Sequence, residues 1–192
     1  MKPTKSIYIL LSLFLMFSCD QPPCNDCIEI SDKWYSQGDV DVLQDIIDVN
    51  ESLSGEGPLE IGGQTWNDGR LISLYLPDNQ LTSIPESIGN LSSLEKLSLY
   101  SNQLTTLPES IGNLSSLIWL GFFDNQLTTL PESIGNLSSL ENLYLDSNQL
   151  TTLPESICNL PETCNIDFSY NQFCEEYHYD CIDDWGEQDC EE

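Results

Sequence analysis

Apolar residues return along this chain in a fixed order every 23 positions. The phrase L-x-x-L-x-L-x-x-N-Q-L-T-x-[LI]-P-E-S-I-x-N-L begins at Leu71, Leu94, Leu117 and Leu140, and an incomplete fifth copy begins at Thr163. Inside each copy the L-x-L piece alternates apolar and polar, which is the period of a short strand with one buried face. The inward pairs are Leu74 and Leu76, Leu97 and Leu99, Leu120 and Phe122, Leu143 and Leu145, and Ile166 and Phe168. No unit of this size can bury its own apolar face, so the copies are predicted to stack side by side and pair their strands into a parallel sheet. Leu81, Leu104, Leu127, Leu150 and Phe173, with the Ile–Leu pairs from Ile88/Leu91 to Ile157/Leu160, fill the same core from the return path.

The polar positions of the phrase also have structural readings. Asn79, Asn102, Asn125, Asn148 and Asn171 fall where the chain must turn inward after each strand. An amide both donates and accepts, so a column of asparagines can satisfy the backbone groups of a buried turn. Pro85, Pro108, Pro131 and Pro154 suit the first position of a short helical turn, where a missing N–H costs nothing. The glutamates after them sit at the positive end of that turn's dipole, which offsets the repulsion along their column. Upstream, Val42, Leu43, Ile46, Ile47 and Val49 have amphipathic-helix spacing, and Asn67-Asp68-Gly69 supplies the turn of a hairpin over 65–72.

The stretch from Leu71 to Phe173 resembles leucine-rich repeat proteins, its I-G-N-L phrases being similar to plant extracellular receptors and its L-P-E-S-I phrases to the Ras-suppressor type. The resemblance covers a little over half of the chain. It implies an α/β, right-handed solenoid of four full repeats plus one partial, with the parallel sheet on a concave face that binds ligands, usually proteins. A helix and hairpin before the first repeat resemble the N-terminal cap of plant-type members, without that cap's cysteine pair, so that Leu59, Ile61 and Trp66 are expected to close that end. Cys174, Cys181 and Cys190, interleaved with aromatics, resemble a cysteine-containing C-terminal cap. The expected organisation is a signal peptide over 1–18, a tether over 19–37, the N-terminal cap over 38–70, repeats over 71–173 and an acidic cap or tail over 174–192.

The N-terminus changes where the chain is expected to work. Lys2 and Lys5 precede an apolar run from Ile7 to Phe17, and Ser18-Cys19 follows it. That order is a secretory signal, too short to span a bilayer, and it resembles a bacterial lipoprotein signal in which Cys19 is lipidated. Plain secretion is the alternative. Membrane contact is expected only through that lipid. An exported chain sits in an oxidising compartment, so Cys24, Cys27, Cys158, Cys164, Cys174, Cys181 and Cys190 are disulfide candidates. Seven cysteines cannot all pair within one chain, so either one thiol stays free or Cys19 is not lipidated and all eight pair. Cys174, His178, Cys181 and Cys190 have the residue types of a zinc site, but bridges are the favoured reading, and no metal or other cofactor is expected.

Past Cys19 the chain carries 32 acidic residues against Lys33, Arg70 and Lys96, a formal charge of −29. Such a surface repels phosphate backbones and excludes nucleic acid as a partner; the chain is expected to be a monomer. The sequence contains no G-x-S-x-G, no H-E-x-x-H and no Gly-rich phosphate loop, and His178 is its only histidine, so it does not read as an enzyme.

Outward strand positions are free of the fold's demands, and there the otherwise near-identical copies diverge. Tyr75, Lys96, Tyr100, Trp119, Phe123, Asn142, Tyr144, Asp146 and Tyr170 are the candidate ligand-binding residues of the concave face. Exposed Trp and Tyr among polar neighbours have the composition of a binding hot spot. Five strands ~4.8 Å apart and about four residues tall make a face of on the order of 300 Å². That is below the ~800 Å² per partner of a stable complex, so a peptide, a glycan or a weak protein contact fits it better. A spacer protein with no specific ligand is the competing reading.

Overall fold

The computed structural model describes residues 22–173, 179–182 and 185–190. The signal segment, Cys19, Cys174 and His178 lie outside them. A short antiparallel hairpin, β1 (Cys27–Ile30) and β2 (Lys33–Ser36), leads into helix α1 (Gln37–Val49). A second antiparallel pair follows, β3 (Gly63–Asn67) and β4 (Arg70–Tyr75). From β4 the chain coils through β5 (Lys96–Ser98), β6 (Trp119–Gly121), β7 (Asn142–Tyr144) and β8 (Asn165–Asp167), each parallel to the last. The six strands lie in chain order, β3 at one edge and β8 at the other. Their register matches the repeat without a slip: Ser73, Lys96, Trp119, Asn142 and Asn165 stand side by side.

The repeat's inward leucines form one continuous core, with Leu74, Leu97, Leu120 and Leu143 wholly buried. Between strands the return path makes a 3-10 turn in each repeat, from Glu86–Asn90 to Glu155–Asn159. The prolines stand at the N-cap of these turns, one residue earlier than expected. The glutamates do more than tolerate one another: Glu86 accepts a hydrogen bond from the Ser110 backbone N–H of the next repeat, as Glu109 does from Ser133, each at 3.2 Å.

The asparagines form the predicted ladder. The Asn125 Oδ1 accepts from the Leu104 N–H of the preceding repeat at 3.0 Å, and its Nδ2 donates to the carbonyls of Leu99 at 2.9 Å and Phe122 at 3.0 Å. Asn102, Asn148 and Asn171 repeat the pattern. Asn79 differs because no repeat lies beneath it; it is half-buried and donates to Pro77 of its own turn. Entry to each rung uses a left-handed residue just before the asparagine, at Asp78, Ser101, Asp124, Ser147 and Tyr170. Small polar side chains tolerate that conformation best, and Tyr170 is the bulky exception.

Gly89, Gly112 and Gly135 are dictated by stacking. A Cβ on Gly112 would collide with the backbone carbonyl and side chain of Ser133 one repeat on. The same position in the last repeat is Cys158, whose sulfur bridges to Cys181 of the C-terminal cap.

The N-terminal end is closed by more than the predicted packing. Ser36 caps α1 by accepting from the Asp39 N–H, and Asp39, buried to 3 % exposure, receives a two-pronged ion pair from Arg70 at 2.9 Å and the Leu71 N–H at 2.8 Å. Asn50, at the helix C-cap, is buried and accepts from the N–H groups of Thr82 and Ser83. Val49 is exposed, since the buried stripe of α1 is Val40, Val42, Leu43, Ile46 and Ile47. Residues expected as tether instead form the β1–β2 hairpin, and a cysteine pair does reach this cap: Cys24 and Cys27 are bridged and lie against Gly69 in the β3–β4 turn. Leu59 is half-buried, Ile61 fully so, and Trp66 meets Tyr35 edge-on with ring centres 4.9 Å apart.

At the other end Trp185 packs against Phe168, Phe173 and Tyr179, and Tyr179 donates to the Leu153 carbonyl. The tail is therefore a cap over the last strand. Cys181 and Cys190 are both in disulfides, which removes their sulfurs from any zinc site. Among the described residues Cys164 is the free thiol, and burial pushes its pKa up to about 11, so it stays protonated at neutral pH.

Replacing Asn125 with Ala orphans the buried Leu104 N–H and removes one of two amide donors from each of the Leu99 and Phe122 carbonyls. We expect urea unfolding to show a loss of about 2–3 kcal/mol, with Leu97 and Leu120 amides losing hydrogen-exchange protection first.

Candidate ligand-binding face

Alternate residues of a strand share a face, so the register sets three outward rows across β4 to β7. Ser73, Lys96, Trp119 and Asn142 make one, and Tyr75, Ser98, Gly121 and Tyr144 the next. Pro77, Tyr100, Phe123 and Asp146 follow the strands in the third, joined through backbone bonds such as Ser101 N–H to the Phe123 carbonyl.

The aromatic candidates touch one another. Tyr100 and Phe123 stack face to face, with ring centres 4.4 Å apart and planes within 8°. Tyr75 meets Tyr100 edge-on at 5.6 Å, and their hydroxyls are 2.6 Å apart. That bond is the main reason the Tyr100 phenol lies above its ordinary pKa. Trp119 leans toward Tyr144 at 5.5 Å. All are partly open to water, Tyr75 the most at 43 %. Lys96 is exposed beside them, and Asn142 is half-buried, its Oδ1 at 3.5 Å from the Tyr144 hydroxyl.

Tyr170 stands apart. It occupies the left-handed turn position, its hydroxyl interacts with Glu187, and among the described residues its ring meets none of the other aromatics. A carboxylate group lies at this end of the face instead: burial, and then Asp167 and Asp124, push the Asp146 pKa up. Among the described residues no group of three or more His, Cys, Asp or Glu gathers to hold a metal.

Family profiles described as leucine-rich repeat match residues 69–127 and 139–160. The chain's fold is that of a leucine-rich repeat solenoid. A leucine-rich repeat protein of Leptospira interrogans is 43 % identical over 53 % of this chain, with a TM-score of 0.51; the match covers 26 % of that protein, so this chain spans about a quarter of its length. The BIR2 ectodomain of Arabidopsis thaliana shares the fold at 24 % identity, covering 71 % of this chain and 81 % of that one with a TM-score of 0.57. So does the ectodomain of the plant's receptor kinase SOBIR1, at 24 % identity, 72 % and 95 % coverage and a TM-score of 0.53. No curated protein matches the chain.

Two residues of the solenoid's outer face are not exposed as the strand alternation implies. Ser98 is buried to 3 % exposure, and Gly121 is buried under the indole of Trp119, against which a Cβ on Gly121 would collide. The available signal was their size, since both stand in a row whose other members are tyrosines.

Raised pKa values on a carboxylate have a definite sign in stability. Ionised Asp146 opposes folding, so the native state gains from protonation as pH falls through that raised pKa. Asp146→Asn should therefore melt slightly above the parent at pH 7, and the difference should vanish near pH 3; thermal unfolding at the two pH values checks it.

Proposed function

We propose that the chain is a non-catalytic recognition module that takes a protein or peptide segment on its concave strand face. One observation carries this reading: repeats that are near copies along the turns and return path diverge most on the outward rows, and there they place two groups of touching aromatics open to water, Tyr75–Tyr100–Phe123 and Trp119–Tyr144. Aromatic side chains give large contact area for little rotamer entropy, which is why they anchor interfaces. The face is small, which suits a short extended segment, or many anchored copies acting together.

The double change Trp119→Ala and Phe123→Ala tests it. Both rings are half-exposed, so unfolding should shift by about 1 kcal/mol or less, while capture of ligand from envelope or host extracts falls more than about tenfold. Undiminished capture by the double variant would move the site elsewhere. A screen that finds no ligand for the parent chain would favour the spacer reading.

The bridges Cys24–Cys27 and Cys158–Cys181 fit export to an oxidising compartment. The module is exported and held at a membrane by lipid on Cys19, with the mature chain acting as a monomer. Intact-mass analysis of membrane-extracted protein should then show a chain beginning at Cys19 and carrying acyl groups; an unmodified N-terminus in the medium would instead mean secretion.

A further inference from the structure

At the centre of the face the row Tyr75–Ser98–Gly121–Tyr144 holds two of the smallest side chains between two large ones. Tyrosines close the row at each end. Tyr100 and Phe123 stand along one side of the small pair, and exposed Lys96 and Trp119 along the other. Five aromatics and Lys96 thus surround the floor, and the indole of Trp119 is folded down over Gly121. The Ser98 hydroxyl is buried there and has no hydrogen-bond partner among the described residues, an arrangement that ordinarily destabilises a fold. Carboxylates stand nearby: Asp78 and Asp124 at the turns after β4 and β6, Asp146 beyond Phe123, and Asp167 next to Tyr144 in register. The chain as a whole is formally −27.

We propose that this aromatic ring is a cation pocket that receives an arginine side chain of the bound segment, with Trp119 lifting off Gly121 as the guanidinium enters. The inference rests on the concave-face reading and names its anchor. Guanidinium fits the rings, the buried hydroxyl and the carboxylates, which outnumber Lys96. It is planar and stacks on aromatic faces, its N–H groups can satisfy the orphan Ser98 hydroxyl, and its charge complements the surrounding carboxylates. An ammonium lacks the plane, and a neutral sugar leaves the charge unanswered. The Trp119 atoms nearest Gly121 belong to its ring, so a rotation of that side chain is the movement the pocket requires.

Amide NMR of the full mature chain supplies the test, with the capped peptide Gly-Gly-Ser-Arg-Ser-Gly-Gly as probe. Titration should shift the Ser98, Gly121 and Tyr144 amides with a Kd of roughly 1 mM or tighter, and the isosteric citrulline peptide should bind about tenfold more weakly. Ser98→Ala should weaken binding several-fold while the melting temperature holds or rises, because the lost hydroxyl has no partner to leave behind. Gly121→Val should abolish binding by filling the floor; Ser98→Ala keeps the test decisive if that variant folds poorly. Equal binding of the arginine and citrulline peptides, equal binding of a lysine peptide, or no shift of these amides at about 10 mM peptide would overturn the proposal. Shifts of the same amides by maltohexaose without arginine binding would overturn it too, yet leave the concave-face reading standing. That broader reading falls if the Trp119 and Phe123 double variant captures ligand normally.

Discussion

Everything in this fold depends on an amide that belongs to two repeats at once. Each ladder asparagine accepts from a backbone N–H of the preceding repeat and donates to carbonyls of both. The turn it occupies is too deep for water, so the amide stands in for solvent. This is why the strands can be as short as three residues and still hold a perfect register. Stability passes from neighbour to neighbour along the coil, and the two ends become the places where the pattern has to be completed by other means.

Those ends are also where sequence and structure part company. Inside the repeats nearly every buried position was legible, because one periodic phrase states the same environment four times. Nothing repeats at the ends. Asp39 lies 31 residues from Arg70, and neither position carries a local sign that a helix start will clamp the first repeat. Asn50 stands outside the repeated phrase, yet it does the ladder's work for the first turn in a different setting. The β1–β2 hairpin was missed for a related reason: its four-residue strands show little alternation, and what orders them is contact with the β3–β4 turn through Gly69 and the Cys24–Cys27 bridge.

The outer face was legible as a set of residues and much less as an arrangement. Strand alternation placed Tyr75, Tyr100, Trp119, Phe123 and Tyr144 on one side, and they are there. It could not reveal which rings meet, because side-chain torsions are chosen among neighbours that only the register brings together. Trp119 settles over a glycine since no side chain competes for that space, and Ser98 is buried for want of length. Tyr170 shares the composition of the strip but sits in the turn, one position from the strand's alternation, where its backbone is left-handed.

Cys158 has a consequence for how such arrays grow. Wherever another coil follows, the equivalent residue is glycine, since the next turn's backbone occupies the place of any side chain. At the final coil that place is vacant, and a cysteine uses it to fasten the lid. A duplicated unit can therefore be spliced into the interior of the array, where it meets like surfaces above and below. Appended after the last coil it would run into a sulfur, so the protein's length is adjustable from within and sealed at its end.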